Sequence, residues 1–258
     1  MKRIFGFLTV AAFAGTLFAA NALAASSGNF SATEDSSQCT INSGNGTLVG
    51  GISPGPSTFG GTVFEIGAND ITVQMSSGSG TTLIVTPSLV TGLFTDNKIS
   101  ATNNSSTQDV GIMVNVSVTG PNGGAIKIAP LVTSGSGAGN TGGNCTVPAG
   151  GVASCVIYDQ RFVQVSSAVL ASLSGCTAIS ASANNTCFEL IESTLSAHSF
   201  NFYVQVPQTG TYTFDVDAQL FIGNQNTAGA GSIAGCAGPG TVTVVQVKNF
   251  SFNSTITF

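Results

Sequence analysis

Phe200-Asn-Phe-Tyr-Val-Gln-Val206-Pro-Gln-Thr-Gly-Thr-Tyr212-Thr-Phe-Asp-Val-Asp-Ala-Gln-Leu220 carries the two clearest strands of the chain. Phe200, Phe202, Val204 and Val206 alternate with Asn201, Tyr203 and Gln205. Tyr212, Phe214, Val216, Ala218 and Leu220 alternate with Thr213, Asp215, Asp217 and Gln219. Successive side chains of an extended backbone point to opposite faces, so each run reads as a strand with one face toward a core. Pro207 has no N–H to give to a ladder and Gly210 accepts turn conformations, so the two strands are separated by a short turn.

The same grammar extends in both directions. Val63–Ile66, Ile71–Met75 and Thr82–Val85 are short apolar runs divided by Gly67-Ala68-Asn69-Asp70 and Ser76-Ser77-Gly78-Ser79-Gly80. Ile112, Val114, Val116 and Val118 alternate with Met113, Asn115, Ser117 and Thr119, which predicts a half-buried strand. The turn at Pro121-Asn122-Gly123-Gly124 makes Ala125–Val132 its expected hairpin partner. Thr133–Asn144 is almost all Gly, Ser, Thr and Asn and reads as a surface loop.

The order strand, Pro-x-x-Gly-x-Tyr212, strand resembles a recurrent feature of immunoglobulin-like sandwiches in exported bacterial proteins. That resemblance implies that Tyr212 anchors a corner by bonding back to the backbone. It concerns about 20 residues and architecture alone. The expected fold is therefore all-β and mainly antiparallel, an immunoglobulin-like or jelly-roll-type sandwich over residues 61–258. One short inserted helix is expected near 160–174, because Phe162, Val165, Val169, Leu170 and Leu173 fall at helical spacing between an N-cap at Asp159 and Gly175. A second short helix around Phe188–Leu195 is a weaker reading of an ambiguous pattern.

Residues 1–24 read as a signal peptide: Lys2 and Arg3, an apolar stretch to Ala20, then Ala22-Leu23-Ala24. Residues 25–60 are polar and rich in Gly, Ser and Pro, an N-terminal arm pinned at Cys39. The bacterial type of leader places the protein outside the cell or on its surface. Cys39, Cys145, Cys155, Cys176, Cys187 and Cys236 then form disulfides, for which Cys145–Cys155 and Cys176–Cys187 are the expected local pairs and Cys39–Cys236 the long-range one.

Of 6 basic residues two lie in the leader, so Lys98, Lys127, Arg161 and Lys248 face 11 carboxylates and the remainder is acidic by seven. Four dispersed cations give no footprint for nucleic acid. Charged residues are only 7 % of the chain while 42 % are hydrophobic, and 17 are Phe, so the chain has the means to fold. Beyond the leader no run reaches the length of a membrane-crossing helix, so no transmembrane segment is expected in the mature chain. Alternation ending in Phe258 also resembles the closing strand of outer-membrane barrels, but the absence of Trp and the six cysteines weigh against that reading.

Residue patterns that could carry chemistry are few. Gly51-Ile-Ser53-Pro54-Gly55 matches a nucleophile elbow, yet Pro54 has no N–H for an oxyanion. His198 is the only histidine, and it reads as a strand-edge imidazole bonded to its neighbours. No CxxC pair accompanies it, which removes zinc. Asp215 with Asp217, and the loops at Asp70 and Asp96, are oxygen-rich places where calcium could bind, but no spacing matches a calcium loop and ordinary turn chemistry accounts for them, so no cofactor is expected. Asp215 and Asp217 share the outward face of their strand and read as solvated. No catalytic site is expected.

The function expected is that of a secreted, non-catalytic structural protein: a self-assembling subunit of a filament, sheath or surface matrix whose partner is itself. Its C-terminal strand supplies the contact, with Phe250, Phe252, Ile256 and Phe258 on one face. The alternative is an extracellular adhesive sandwich that binds carbohydrate or another surface ligand, with or without calcium.

Overall fold

The computed structural model describes residues 30–50, 63–66, 71–76, 81–100, 106–121, 126–130, 151–165, 186–226 and 232–247. They form thirteen strands: β1 (Phe30–Asp35), β2 (Thr40–Ile41), β3 (Leu48–Val49), β4 (Val63–Glu65), β5 (Ile71–Met75), β6 (Thr81–Ser100), β7 (Ser106–Thr119), β8 (Lys127–Ala129), β9 (Val152–Val165), β10 (Thr186–Ser199), β11 (Phe202–Val206), β12 (Gly210–Asn226) and β13 (Ser232–Val247). Every pairing is antiparallel. The larger sheet runs β1-β13-β6-β11-β8, with β10 continuing along β6 beyond β11. The smaller runs β4-β12-β7-β9, with β5 beside β4 on β12. The ribbon β2–β3 stands apart.

The two sheets close on one core, as the all-β sandwich reading requires. Leu83, Val85, Leu89 and Leu93 of β6, Phe202 and Val204 of β11, and Val242 and Val244 of β13 are buried in a cluster with Ile112 to Val118 at even positions of β7 and Phe214, Val216 and Leu220 of β12. Two-residue periodicity in both sheets supplies this interleaved layer.

Strands β11 and β12 do not pair with each other: the turn between them carries the chain from the larger sheet to the smaller. Tyr212 closes that corner. Its ring is buried, its hydroxyl donates to the Gln208 carbonyl at 2.9 Å, and the Gln208 N–H donates back to the hydroxyl at 3.4 Å. Gly120, at the end of β7, lets the ring lie this close: a Cβ there would sit 2.5 Å from Tyr212 Cε1. Next to it, the Gln208 side-chain amide donates to the Pro121 carbonyl.

Four expectations need correction. Residues 160–165 of the expected helix are strand, the second half of β9, and Asp159 is a strand residue rather than an N-cap; 166–174 lie outside the described residues. Phe188–Leu195 is strand as well, within β10. The hairpin partner of β7 is not β8, which pairs with β11 in the opposite sheet. The outward side of β7 is not solvated, since Met113, Asn115 and Ser117 are all buried, Met113 against Cys155.

The N-terminal region adds a strand and a clasp. β1 pairs with β13 from Phe30↔Val245 to Asp35↔Gly240. Cys39 and Cys236 form a disulfide with Cα atoms 5.4 Å apart, and the Cys39 N–H donates to the Gly238 carbonyl at 3.0 Å. Gly92 makes room for it: a Cβ there would lie 2.7 Å and 2.8 Å from the two sulfurs. Cys155 is also disulfide-bonded. Cys145 and Cys176, and the side chain of Cys187, lie outside the described residues. So do Phe250, Phe252, Ile256 and Phe258. The described part of the C-terminal strand is not a free edge, because β13 lies between β1 and β6. Among the described residues no helix is long and apolar enough to cross a membrane.

Candidate functional site

Register brings three carboxylates together on the outer face of the smaller sheet. Asp217 stands opposite Glu65 of β4 on one side and Asn115 of β7 on the other, with Asp215 two residues along the same strand. Asp215 is exposed as expected, but Asp217 is only 9 % exposed. Burial, then the nearby charges of Asp215 and Glu65, push the Asp217 carboxyl up to about 6, against a hydrogen bond from Asn115. Among the described residues no group of three or more His, Cys, Asp or Glu side chains is arranged to hold a metal ion.

The other calcium candidates divide. Asp70 lies outside the described residues. Asp96 meets a cation from the chain itself: Lys98 Nζ is 2.8 Å from Asp96 Oδ2 and 3.1 Å from Glu189 Oε1. Those bonds, Asp96 first and Glu189 second, hold the Lys98 ammonium above its ordinary value.

A polar group lies between the sheets where β9 faces β6 and β10. Asp159 Oδ2 accepts from Ser196 Oγ at 3.1 Å and from Thr91 Oγ1 at 3.3 Å. Tyr158 donates to the Pro87 carbonyl at 2.9 Å, and burial pushes its phenol well above the ordinary value despite the Phe200 backbone bond. His198 meets Tyr158 edge-on with ring centres 6.1 Å apart, and its Nε2 is buried with no hydrogen-bond partner. The sequence reading has this imidazole bonded to its neighbours, and Nε2 makes no such bond. Ser, His and Asp occur together here, but the serine bonds the carboxylate directly. A nucleophilic triad needs the imidazole between them to take the serine proton, so this geometry is not a proton relay.

Outside, on the larger sheet, a cleft of about 560 Å³ opens where β1 ends against β13 and β10. Glu34, Asp35, Ser88, His198, Ser199 and Thr241 line it. Ser88 Oγ donates to Ser199 Oγ at 3.0 Å across its floor.

The same outer face carries a row that no single strand reveals. Phe30 pairs with Val245, Val245 with Ile84, and Ile84 with Tyr203. Opposed residues in a ladder share a face, so these four form one apolar row across β1, β13, β6 and β11. Phe30 is 50 % and Val245 38 % exposed. The next row is Ala32, Thr243 and Thr86, with Thr86 Oγ1 donating to Asn201 Oδ1 at 2.8 Å. The one after is Glu34, Thr241, Ser88 and Ser199. Each strand shows only alternation in the sequence, so the row was legible only with the strand order in hand. Comparison of the chain with protein-family models, with curated proteins and with solved structures gives no match.

Proposed function

We propose that this chain is an exported, non-catalytic structural protein that assembles with copies of itself into an extracellular filament, sheath or matrix. The apolar row Phe30–Val245–Ile84–Tyr203 is the observation that carries the reading. A half-exposed apolar row across four strands, flanked by hydroxyls and with Glu34 as the nearest carboxylate on β1, is a surface suited to association rather than to solution as a monomer. The leader-like residues 1–24, a disulfide compatible with an extracellular location and the scarcity of charge support it. The described part of the C-terminal strand contributes to the row through Val245, and not as a free edge. Negative-stain electron microscopy of the oxidised protein at neutral pH tests the proposal: regular fibres or sheets are expected, and dispersed single particles at every concentration contradict it.

A second reading is an adhesive module for carbohydrate. Tyr203 beside Asn201, Thr86 and Ser88 favours it, an aromatic face next to amide and hydroxyl groups. Glycan binding by a protein that stays monomeric, lost in Tyr203→Ala, would establish this reading over the first.

A further inference from the structure

Strand β1 occupies an edge that its own side chains do little to hold. All six of its residues pair with β13, yet none of the six side chains is buried. β13 has the opposite character: Val242 and Val244, opposite Thr33 and Ser31, are fully buried in the core. Without β1 the stretch Gly240–Val245 would present a row of unpaired N–H and C=O groups on a strand that cannot leave the core. Such an edge demands a strand. Any copy of the chain carries the one that fits, because residues 30–35 match it residue by residue.

The link after β1 is short and held at its far end. Ser36, Ser37 and Gln38 belong to no strand. Cys39 is held to β13 by its disulfide and by its bond to the Gly238 carbonyl. Ser37 is packed against Gly238, where φ is +110° and a Cβ would fall 2.6 Å from the Ser37 carbonyl oxygen. Across Ser36 the Ser37 N–H donates to Asp35 Oδ1 at 2.7 Å, so this single turn must open for residues 30–35 to swing outward, while the clasp keeps the arm's root beside its own β13.

We infer that β1 is an exchangeable arm and that Gly240–Val245 of one copy is the docking edge for residues 30–35 of a second copy. This names the joint of the assembly proposed above and rests on that reading. Exchange keeps the ladder and changes only which chain supplies the strand, so little free energy separates the two arrangements. Reciprocal exchange closes a dimer, whereas head-to-tail exchange continues as a chain.

The test uses the full chain in two tagged forms of different mass, one with Ala32→Cys and the other with Thr243→Cys. The two positions are directly opposite in the ladder, point outward and are not buried. Mixed under oxidising conditions and run without reductant, they are expected to give a covalent heterodimer joined through the introduced thiols. A single chain with both substitutions is expected to bond within itself and lose assembly. Assembly seen by light scattering, with no heterodimer and no effect of the internal lock, overturns the exchange and leaves the structural proposal standing. Absence of assembly in the unmodified protein overturns both. Glu34→Cys with Thr241→Cys, both exposed and also opposed, repeats the test if the first pair disturbs folding.

Discussion

Asp217 shows how a single side chain departs from what its strand pattern implies. Its place between Val216 and Ala218 correctly points it away from the core, but outward is not the same as solvated. β4 and β7 flank it on both sides, and neither pairing is written in the residues around 217. The consequence is a pH dependence of defined sign. Between the ordinary value of 3.8 and about 6, the folded chain keeps a proton that the unfolded chain has lost, so stability falls as pH rises through that window. Asp217→Asn should flatten this dependence and raise stability at pH 7 by on the order of 1 kcal/mol, after allowance for solvent screening. Urea titrations at pH 5 and pH 7 would read it, and a larger loss at pH 7 than at pH 5 would contradict it. Tyr212 is the opposite case. Its corner was legible because Pro207, Gly210 and the parity of Tyr212 lie within a few residues of one another. Tyr212→Phe should cost about 1–2 kcal/mol, since the buried ring stays but the Gln208 carbonyl loses its donor. An unchanged denaturation midpoint would mean that the bond contributes nothing.

At the scale of elements, the strands that alternate cleanly were readable and the irregular one was not. β9 contains a bulge: Ile112 pairs with Asp159 while Met113 pairs with Ile157, so Tyr158 is an extra residue. Inward positions are even up to Tyr158 and odd from there to Val163 and Val165. A change of parity breaks the two-residue period and leaves Phe162 and Val165 at a spacing that imitates a helix. In β10 the apolar residues occupy both faces, Phe188 and Leu190 packed inside with Ile191 and Leu195 exposed outside, so no period emerges. In sequence β1 belongs to a polar arm, because Phe30-Ser-Ala-Thr-Glu-Asp35 has only one large apolar residue, and it is a strand only because β13 offers a ladder. Deleting residues 25–35 should accordingly leave a cooperatively folded core with a modest fall in thermal midpoint. Loss of the unfolding transition would show that β1 is integral to the sandwich.

For the whole molecule, the decisive connection joins the two ends of the described chain. The Cys39–Cys236 disulfide spans 197 residues, a separation for which loop closure in the unfolded state stabilises by about 4–5 kcal/mol in the chain-entropy model. An even number of cysteines allowed that pair to be named, because the other four lie within residues 145–187. Cys39→Ser with Cys236→Ser should lower the unfolding free energy by about 2–5 kcal/mol, and an unchanged value would show that the ends are held by β1 and β13 alone. Sheet order was beyond reach of the sequence, since nothing local tells β8 to join β11 or β1 to join β13. The association surface was hidden for the same reason: its four residues come from positions 30, 84, 203 and 245. The measurement that bears most directly on self-assembly is the molar mass of the oxidised, full-length protein by light scattering across a wide range of concentration. Mass that rises with concentration, and falls back to the monomer when Val245→Lys and Tyr203→Lys place like charges in the apolar row, is the predicted result. A constant monomer mass throughout would contradict the account.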